Sequence, residues 1–283
     1  MTYIIKATGK KEEFNKAKIF NTLIKAGASQ KFARNITGQI EKKIYNGISS
    51  KKILNLVLNL LKEKPEIASR YDLKRAIMSL GPSGFPYEKF FAKVLENYGF
   101  KTEIGKIISG KNITHEVDII AKKKIKKNGQ IKNNAKEFTY MVECKYHNQL
   151  GTHTNIKVAL YTYARFLDLK NNKKYNFNSP WLTTNTKCTP DAMNYAKSVN
   201  MKITTWNYPR GKSLQELIEK KQLYPITIIK SMENNIKEKL SDLGIIITKD
   251  LLNYDFNELK SKTGFSEKIL NQIIKEAKEV SDN

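Results

Sequence analysis

The sequence holds only two cysteines in 283 residues, Cys144 and Cys188. Two thiols in a chain this long build no disulfide framework, and no Cys/His spacing here fits a zinc site. Histidine is scarce too, at His115, His147 and His153. No apolar run approaches the ~20 residues that a membrane-crossing helix needs. The stretch from Met1 to Lys18 mixes Lys and Glu and lacks a secretory core, so the expectation is a cytoplasmic protein with no membrane partner. Acidic residues are few: 27 Asp and Glu stand against 51 Lys and Arg.

The resulting net charge of +24 favours polyanion partners through counterion release, although a lysine-rich coding bias would give the same excess. Its distribution is more informative. Residues 1–80 carry a net +11, residues 81–232 a net +15 and residues 233–283 a net −2. Hydrophobic residues make up 40 % of the chain, enough to bury a core in each of two or three domains.

Three segments follow from the pattern of turns and periodicity. The first, residues 1–80, opens with a short β pattern at Thr2–Lys6. Helical spacing then recurs at Ile19, Leu23 and Ala26, at Ile36, Ile40 and Ile44, and at Ile53, Val57, Leu60 and Leu61. The turn formers Gly81-Pro82-Ser83-Gly84 mark a boundary. The second segment, residues 81–232, begins with a helix over Tyr87–Tyr98. Strands at Lys101–Ile108, Glu116–Ala121 and Phe138–Cys144 come next, then a helix at Val158–Leu169. A strand at Pro180–Asn185, a helix at Pro190–Val199 and a strand at Lys202–Trp206 complete it. Such alternation predicts an α/β (α+β) mixed sheet flanked by helices. Between Lys122 and Lys136 lie seven lysines, read either as a DNA-tracking hairpin tip or as a solvated loop. The third segment, residues 233–283, reads as short helices.

The chemistry concentrates in the second segment. Along Tyr140-Met141-Val142-Glu143-Cys144-Lys145, strand alternation places Glu143 and Lys145 on one face, roughly 7 Å apart. In Glu116-Val117-Asp118-Ile119-Ile120-Ala121 it groups Glu116 with Asp118 and sends Val117, Ile119 and Ala121 to the opposite face. If the two strands pair as a hairpin, Asp118, Glu143 and Lys145 converge. Carboxylates can hold Mg²⁺ (or Mn²⁺) that keeps several waters, and an ammonium can orient the attacking water and offset charge on a phosphate. A lone Glu-x-Lys is common on surface strands; Asp118 on a neighbouring β stretch is what sharpens the reading.

Residues 81–232 resemble the Mrr-like branch of the PD-(D/E)xK nuclease superfamily, which includes type IV restriction endonucleases. The matching pieces are Phe85-Pro86-Tyr87-Glu88, Gly99-Phe100, Glu116 to Ala121 and Val142-Glu143-Cys144-Lys145. The resemblance implies a restriction-endonuclease-like fold, with Asp118 and Glu143 as metal ligands and Lys145 as the catalytic lysine. It implies either a place near the metal or an exposed helix position for Glu88. Many Mrr relatives have Gln where this chain has Glu143, which also resembles archaeal Holliday-junction resolvases. His147 and Asn148 are expected to support the phosphate or the metal ligands, and His115 to cap a strand end.

Residues 3–80 resemble an ATP-cone, the regulatory nucleotide-binding domain of ribonucleotide reductases. The likeness rests on Ile5-Lys6-Ala7-Thr8-Gly9-Lys10-Lys11-Glu12-Glu13-Phe14-Asn15-Lys16-Ala17-Lys18-Ile19, on Tyr45-Asn46-Gly47-Ile48-Ser49-Ser50, and on Ala68, Tyr71 and Leu73–Ile77. It implies phosphate contacts from Lys6 and Lys18, base or ribose contacts from Glu12 and Asn15, and Ser50 facing the nucleotide. The chain departs from the pattern at Ala7, where many members have a second basic residue. No Gly-x4-Gly-Lys-Ser/Thr pattern is present, so ATP or dATP is expected to be sensed rather than consumed.

Residues 233–283 resemble helix-hairpin-helix or RNA-polymerase-α-tail-like modules around Thr263-Gly264-Phe265-Ser266, with DNA contact on one side and partner contact or dimerisation on the other as equal alternatives. The combined expectation is a Mg²⁺-dependent endodeoxyribonuclease, in-line and leaving 5′-phosphate, under adenine-nucleotide control. It would act in restriction or defence against foreign DNA, as a homo-oligomer with two active sites for two strands. A repair nuclease or junction resolvase is the second reading, and a nucleotide-responsive DNA-binding regulator without cleavage is the third.

Overall fold

A computed structural model of the chain describes residues 2–81, 84–124 and 137–282. Most of the lysine-rich stretch, residues 125–136, lies outside the described residues.

The N-terminal part is a small sheet under helices. Strand β1 (Tyr3–Ile5) pairs antiparallel with β2 (Lys11–Glu13), and β3 (Ile48–Ser49) joins β1 in parallel. Between β2 and β3 run α1 (Lys16–Lys25) and α2 (Gln30–Glu41), followed after β3 by α3 (Ser50–Leu60). Their apolar stripes meet in one core that includes Leu23, Ala33, Ile40, Val57 and Leu61. Side-chain oxygens of Asn15, Ser29 and Ser49 cap the three helices, satisfying first-turn N–H groups. Two further helices, α4 (Pro65–Tyr71) and α5 (Leu73–Met78), are too short to show a helical period in the sequence.

The central part is a five-stranded mixed sheet. After α6 (Phe85–Asn97) come β4 (Lys101–Ser109), β5 (Thr114–Lys124) and β6 (Glu137–Lys145), with β5 antiparallel to both β4 and β6. A short β7 (His153–Thr154) leads into α7 (Ile156–Leu169). Strand β8 (Ser179–Thr184) pairs parallel with β6, and β9 (Lys187–Cys188) pairs parallel with β7. Then α8 (Pro190–Ser198), β10 (Lys202–Thr204) and α9 (Leu214–Lys221) follow, giving the order β10-β8-β6-β5-β4. Helix α6 buries Tyr87, Phe90 and Phe91, with Phe91 edge-on to Trp181 and Tyr87 bonded through its hydroxyl to Thr183 at 2.9 Å. Helix α7 packs Phe166 and Leu169 with Ile120 and Met141.

Strict alternation in β5 leaves Ile120 on the polar carboxylate face, yet Ile119, Ile120 and Ala121 are all buried. Apolar side chains cover both faces of the sheet there, so this stretch is a doubly buried strand.

The C-terminal part holds a 3₁₀ turn (Ile226–Ile228), then α10 (Asn234–Asp242), α11 (Thr248–Leu252), α12 (Phe256–Thr263) and α13 (Glu267–Ser281). It shares a compact unit with the N-terminal part. Residues 1–79, 149–151 and 224–283 form one unit, and residues 80–148 and 152–223 the other. Helix α13 packs along α4. Arg70 of α4, 8 % exposed, donates to the carbonyl of Asp282 at 2.7 Å, and Thr227 donates to the carbonyl of Ala76 at 2.6 Å. No described helix is long and apolar enough to cross a membrane.

Candidate functional site

The sheet opens into a fork between β5 and β6. Their ladder runs from Lys124↔Glu137 to Ile119↔Val142. The next residues inward are Asp118 on one strand and Glu143 on the other. On its far side, β5 pairs with β4 up to Ile104↔Ile119, then resumes at Lys106↔Val117. The residue passed over is Gly105, at φ +60°, a left-handed backbone that glycine adopts at little cost. Asp118 therefore sits where regular pairing lapses on both sides. Its Oδ2 accepts the backbone N–H of Cys144 at 2.6 Å, which ties the two strands together across the fork.

Burial sets the electrostatics. The Glu143 side chain is 14 % exposed. Burial, followed by repulsion from Asp118, pushes its carboxyl up to about 7, against the pull of Arg165 and Lys145. Asp118 is also raised, by burial first, although the Cys144 N–H and Arg165 work against the shift. Glu88, in the first turn of α6, is pushed up to about 7 by burial and by Asp118 and Glu116. Three carboxylates from α6, β5 and β6 are thus raised, each by burial first and two of them also by the charge of Asp118. Glu143↔Leu182 and Lys145↔Thr184 are both paired to β8, so Glu143 and Lys145 keep the strand alternation expected of them. The Lys145 side chain is exposed, and its charge reaches both carboxylates.

The histidines serve the frame. His147 donates its backbone N–H to Asn185 at 2.9 Å, receives Asn185 at its carbonyl at 2.7 Å, and meets Thr154 through its ring at 3.0 Å. Burial, with Lys145 and His153, lowers its pKa. These contacts hold the chain just beyond Lys145, and Asn148 next to it is exposed. His115 meets Asp168 of α7 at 2.9 Å, where Asn112 also converges, so it locks a strand end to a helix.

Arg165 is the residue that the sequence reading missed. It reaches from α7 to Glu143 Oε2 and to the carbonyl of Glu116, with its side chain 8 % exposed. The signal was present: a cation falls on the buried stripe of an amphipathic helix, between Thr162 and Phe166.

Among the described residues no group of three or more His, Cys, Asp or Glu side chains is arranged to hold a metal by itself. Asp118 and Glu143 offer two carboxylates, a donor set that suits a hard divalent ion keeping several waters.

A second constellation lies in the N-terminal sheet. A cleft of about 450 Å³ is lined by Glu12, Glu13, Phe14, Asn15, Lys16 and Lys18. Glu12 meets Lys6 at 3.5 Å and also accepts from Lys18, and the two lysines hold its carboxyl below the ordinary range. Asn15 lends its Oδ1 to the N–H of Ala17 at 2.9 Å as the cap of α1. Ser50 is the first residue of α3. Four of the five expected nucleotide residues are therefore neighbours along β1, β2 and α1, and Ser50 follows β3 of the same sheet.

The ATP cone domain family matches residues 2–77. The family described as AF1548-like, C-terminal, matches residues 224–281. A protein of Archaeoglobus fulgidus, carried as an uncharacterized protein, is 36 % identical over 189 residues, 67 % of this chain and 98 % of its own length. The crystal structure of a protein of unknown function, AF1548, is similar with a TM-score of 0.58 and 34 % identity, over 70 % of this chain and 98 % of that one. Residues 2–77 are thus an ATP-cone, the type of domain through which adenine nucleotides regulate a protein.

Proposed function

This chain belongs to the AF1548-like family, and we propose that it is a metal-dependent endodeoxyribonuclease whose cutting is set by an adenine nucleotide, ATP or dATP, on its ATP-cone. The observation that carries the reading is the fork itself. Asp118 and Glu143 stand on adjacent strands at the end of their ladder, both raised chiefly by burial, with Lys145 two residues further along β6.

Asp118 and Glu143 would hold Mg²⁺ (or Mn²⁺), which when bound supplies Lewis acidity and a water of lowered pKa. The Cys144 N–H fixes the Asp118 carboxylate against rotation. Glu88 adds negative potential and, with a carboxyl near neutrality, can take or return a proton at the site. Lys145 orients the attacking water and offsets the charge that builds on the phosphate. His147 keeps Lys145 in place through its bonds to Asn185 and Thr154 rather than by touching substrate. The net charge of +24 supports DNA as the polyanion. A homo-oligomer would bring two such centres to the two strands of a duplex.

Nucleotide control has a physical route. Gln149, Leu150 and Gly151 belong to the same compact unit as the cone. Gly151 lies so close to the turn between β1 and β2 that a Cβ there would meet Thr8 Cγ2 at 2.6 Å. That turn joins Lys6 to Glu12, and the chain from Gly151 back to Lys145 is six residues away from the motif at most (positions 145–151). A phosphate drawing Lys6 and Lys18 off Glu12 would shift the turn and the segment resting on it.

Restriction or defence against foreign DNA is the role we favour. Incubating the protein with Mg²⁺ and plasmid or four-way-junction DNA, with and without ATP, tests it. Selective cutting of junctions would favour a repair nuclease or resolvase. Tight DNA binding without cutting would favour a nucleotide-responsive regulator.

A further inference from the structure

Resting on the nuclease reading, one side chain in the fork calls for a role of its own. Arg165 is more than nine-tenths buried, with its side chain 8 % exposed. It pairs with Glu143 Oε2 through one terminal nitrogen and with the Glu116 carbonyl through the other. Its third nitrogen, Nε, is buried and has no acceptor among the described residues. The guanidinium lies 5.1 Å from the centre of the Tyr161 ring, one turn earlier on α7. Its charge acts on Asp118 as well as on Glu143.

These contacts put a cation where the two carboxylates converge. A buried donor without an acceptor costs free energy, so the position is not one that bonding alone would select. A divalent ion on Glu143 and a guanidinium on the same carboxylate would repel each other strongly in so dry a place. Arg165 can hold Glu143, or it can release it, but it cannot share it at low cost. Once released, its planar fork and the idle Nε–H match the non-bridging oxygens of a phosphate, which a guanidinium grips through two parallel bonds.

We propose that Arg165 is the resident cation of this centre. It neutralises Glu143 in the resting protein, yields that carboxylate to a divalent ion, and then binds the scissile phosphate. Arg165 therefore both restrains metal loading and contacts substrate. The exchange is one of ion pairing, with no bond made or broken.

Calorimetric titration of the full chain with Mn²⁺, in the absence of DNA, tests the first half. Arg165→Met, which keeps the apolar stem and loses the charge, should bind Mn²⁺ about tenfold more tightly than wild type, the scale of one charge-assisted hydrogen bond. Arg165→Lys keeps the charge without the fork and should tighten binding by a smaller factor, which maintains the test if the Met variant fails to fold. Equal Mn²⁺ affinity in wild type and every folded variant would overturn the exchange while leaving the metal centre standing. No Mn²⁺ binding in any of them would contradict the metal centre itself. For the second half, DNA affinity is measured with Mg²⁺ present in a Lys145→Ala background. Adding Arg165→Lys should weaken DNA binding several-fold despite the unchanged charge; unchanged affinity would overturn the phosphate contact.

Discussion

The Asp118 carboxylate accepts the backbone N–H of Cys144 at 2.6 Å, and this bond ties the two acidic strands of the fork to each other where their ladder has ended. It also explains why Asp118 is raised less than its burial demands, since an N–H aimed at a carboxylate favours the charged form.

The fork gives a pH dependence with a definite sign. Glu88 and Glu143 hold their protons up to about 7 in the folded chain. In the unfolded chain they lose them near the ordinary value of about 4.3. Between those values the folded state binds more protons. Their contribution to stability is thus complete below the ordinary carboxylate range and is lost as pH rises through about 7. Thermal melts in a chelator should show wild type losing more stability between pH 5.5 and pH 8 than Glu143→Gln does. Parallel losses in the two proteins would contradict the raised carboxyl.

In the cone, Lys18→Ala should weaken ATP binding by about tenfold, the scale of a lost charged hydrogen bond. Glu12→Gln removes the carboxylate that occupies both Lys6 and Lys18, and should leave those lysines freer for phosphate. Titration calorimetry reads both. Identical isotherms for wild type and Lys18→Ala would remove Lys18 from the site.

Gly151→Val should uncouple the two functions. With φ +91° and Thr8 in the way, any side chain at this position forces the segment off the β1–β2 turn. The variant should still bind ATP and still cut, with cutting that no longer responds to the nucleotide. A nucleotide response equal to that of wild type would sink this route of control.

Arg70→Ala should destabilise the unit that joins the cone to the C-terminal helices by about 1–3 kcal/mol, since the carbonyls of Asp282 and Val280 lose their donor. Chemical denaturation followed by circular dichroism measures this. Unchanged midpoints would show that packing of α13 on α4 holds the unit without Arg70.

Much of the fold is local enough to read from sequence. The alternation in β6 sets Glu143 and Lys145 together, and the spacing of Leu23, Ile40 and Val57 marks three helices whose stripes share one core. What escapes sequence reading depends on distant packing. Arg165 lies 22 positions from Glu143 and arrives only because α7 lies against the sheet. The union of residues 1–79 with 224–283 depends on an interface between α4 and α13. Asn15 and His147 show a subtler limit, because a polar side chain near a motif can be claimed by a helix cap or by a neighbouring loop. Asn15 is held by Ala17, and His147 by Asn185 and Thr154.

The most direct test of the account is cleavage of supercoiled plasmid by wild type and by Lys145→Ala, each with Mg²⁺ and with a chelator. Wild type should cut only when Mg²⁺ is present. The variant should lose cutting by roughly 100-fold or more while still retarding the same DNA in a gel, as expected when a group that stabilises charge in the transition state is removed. Cutting by Lys145→Ala at the wild-type rate, or no cutting by wild type under any condition, would contradict it.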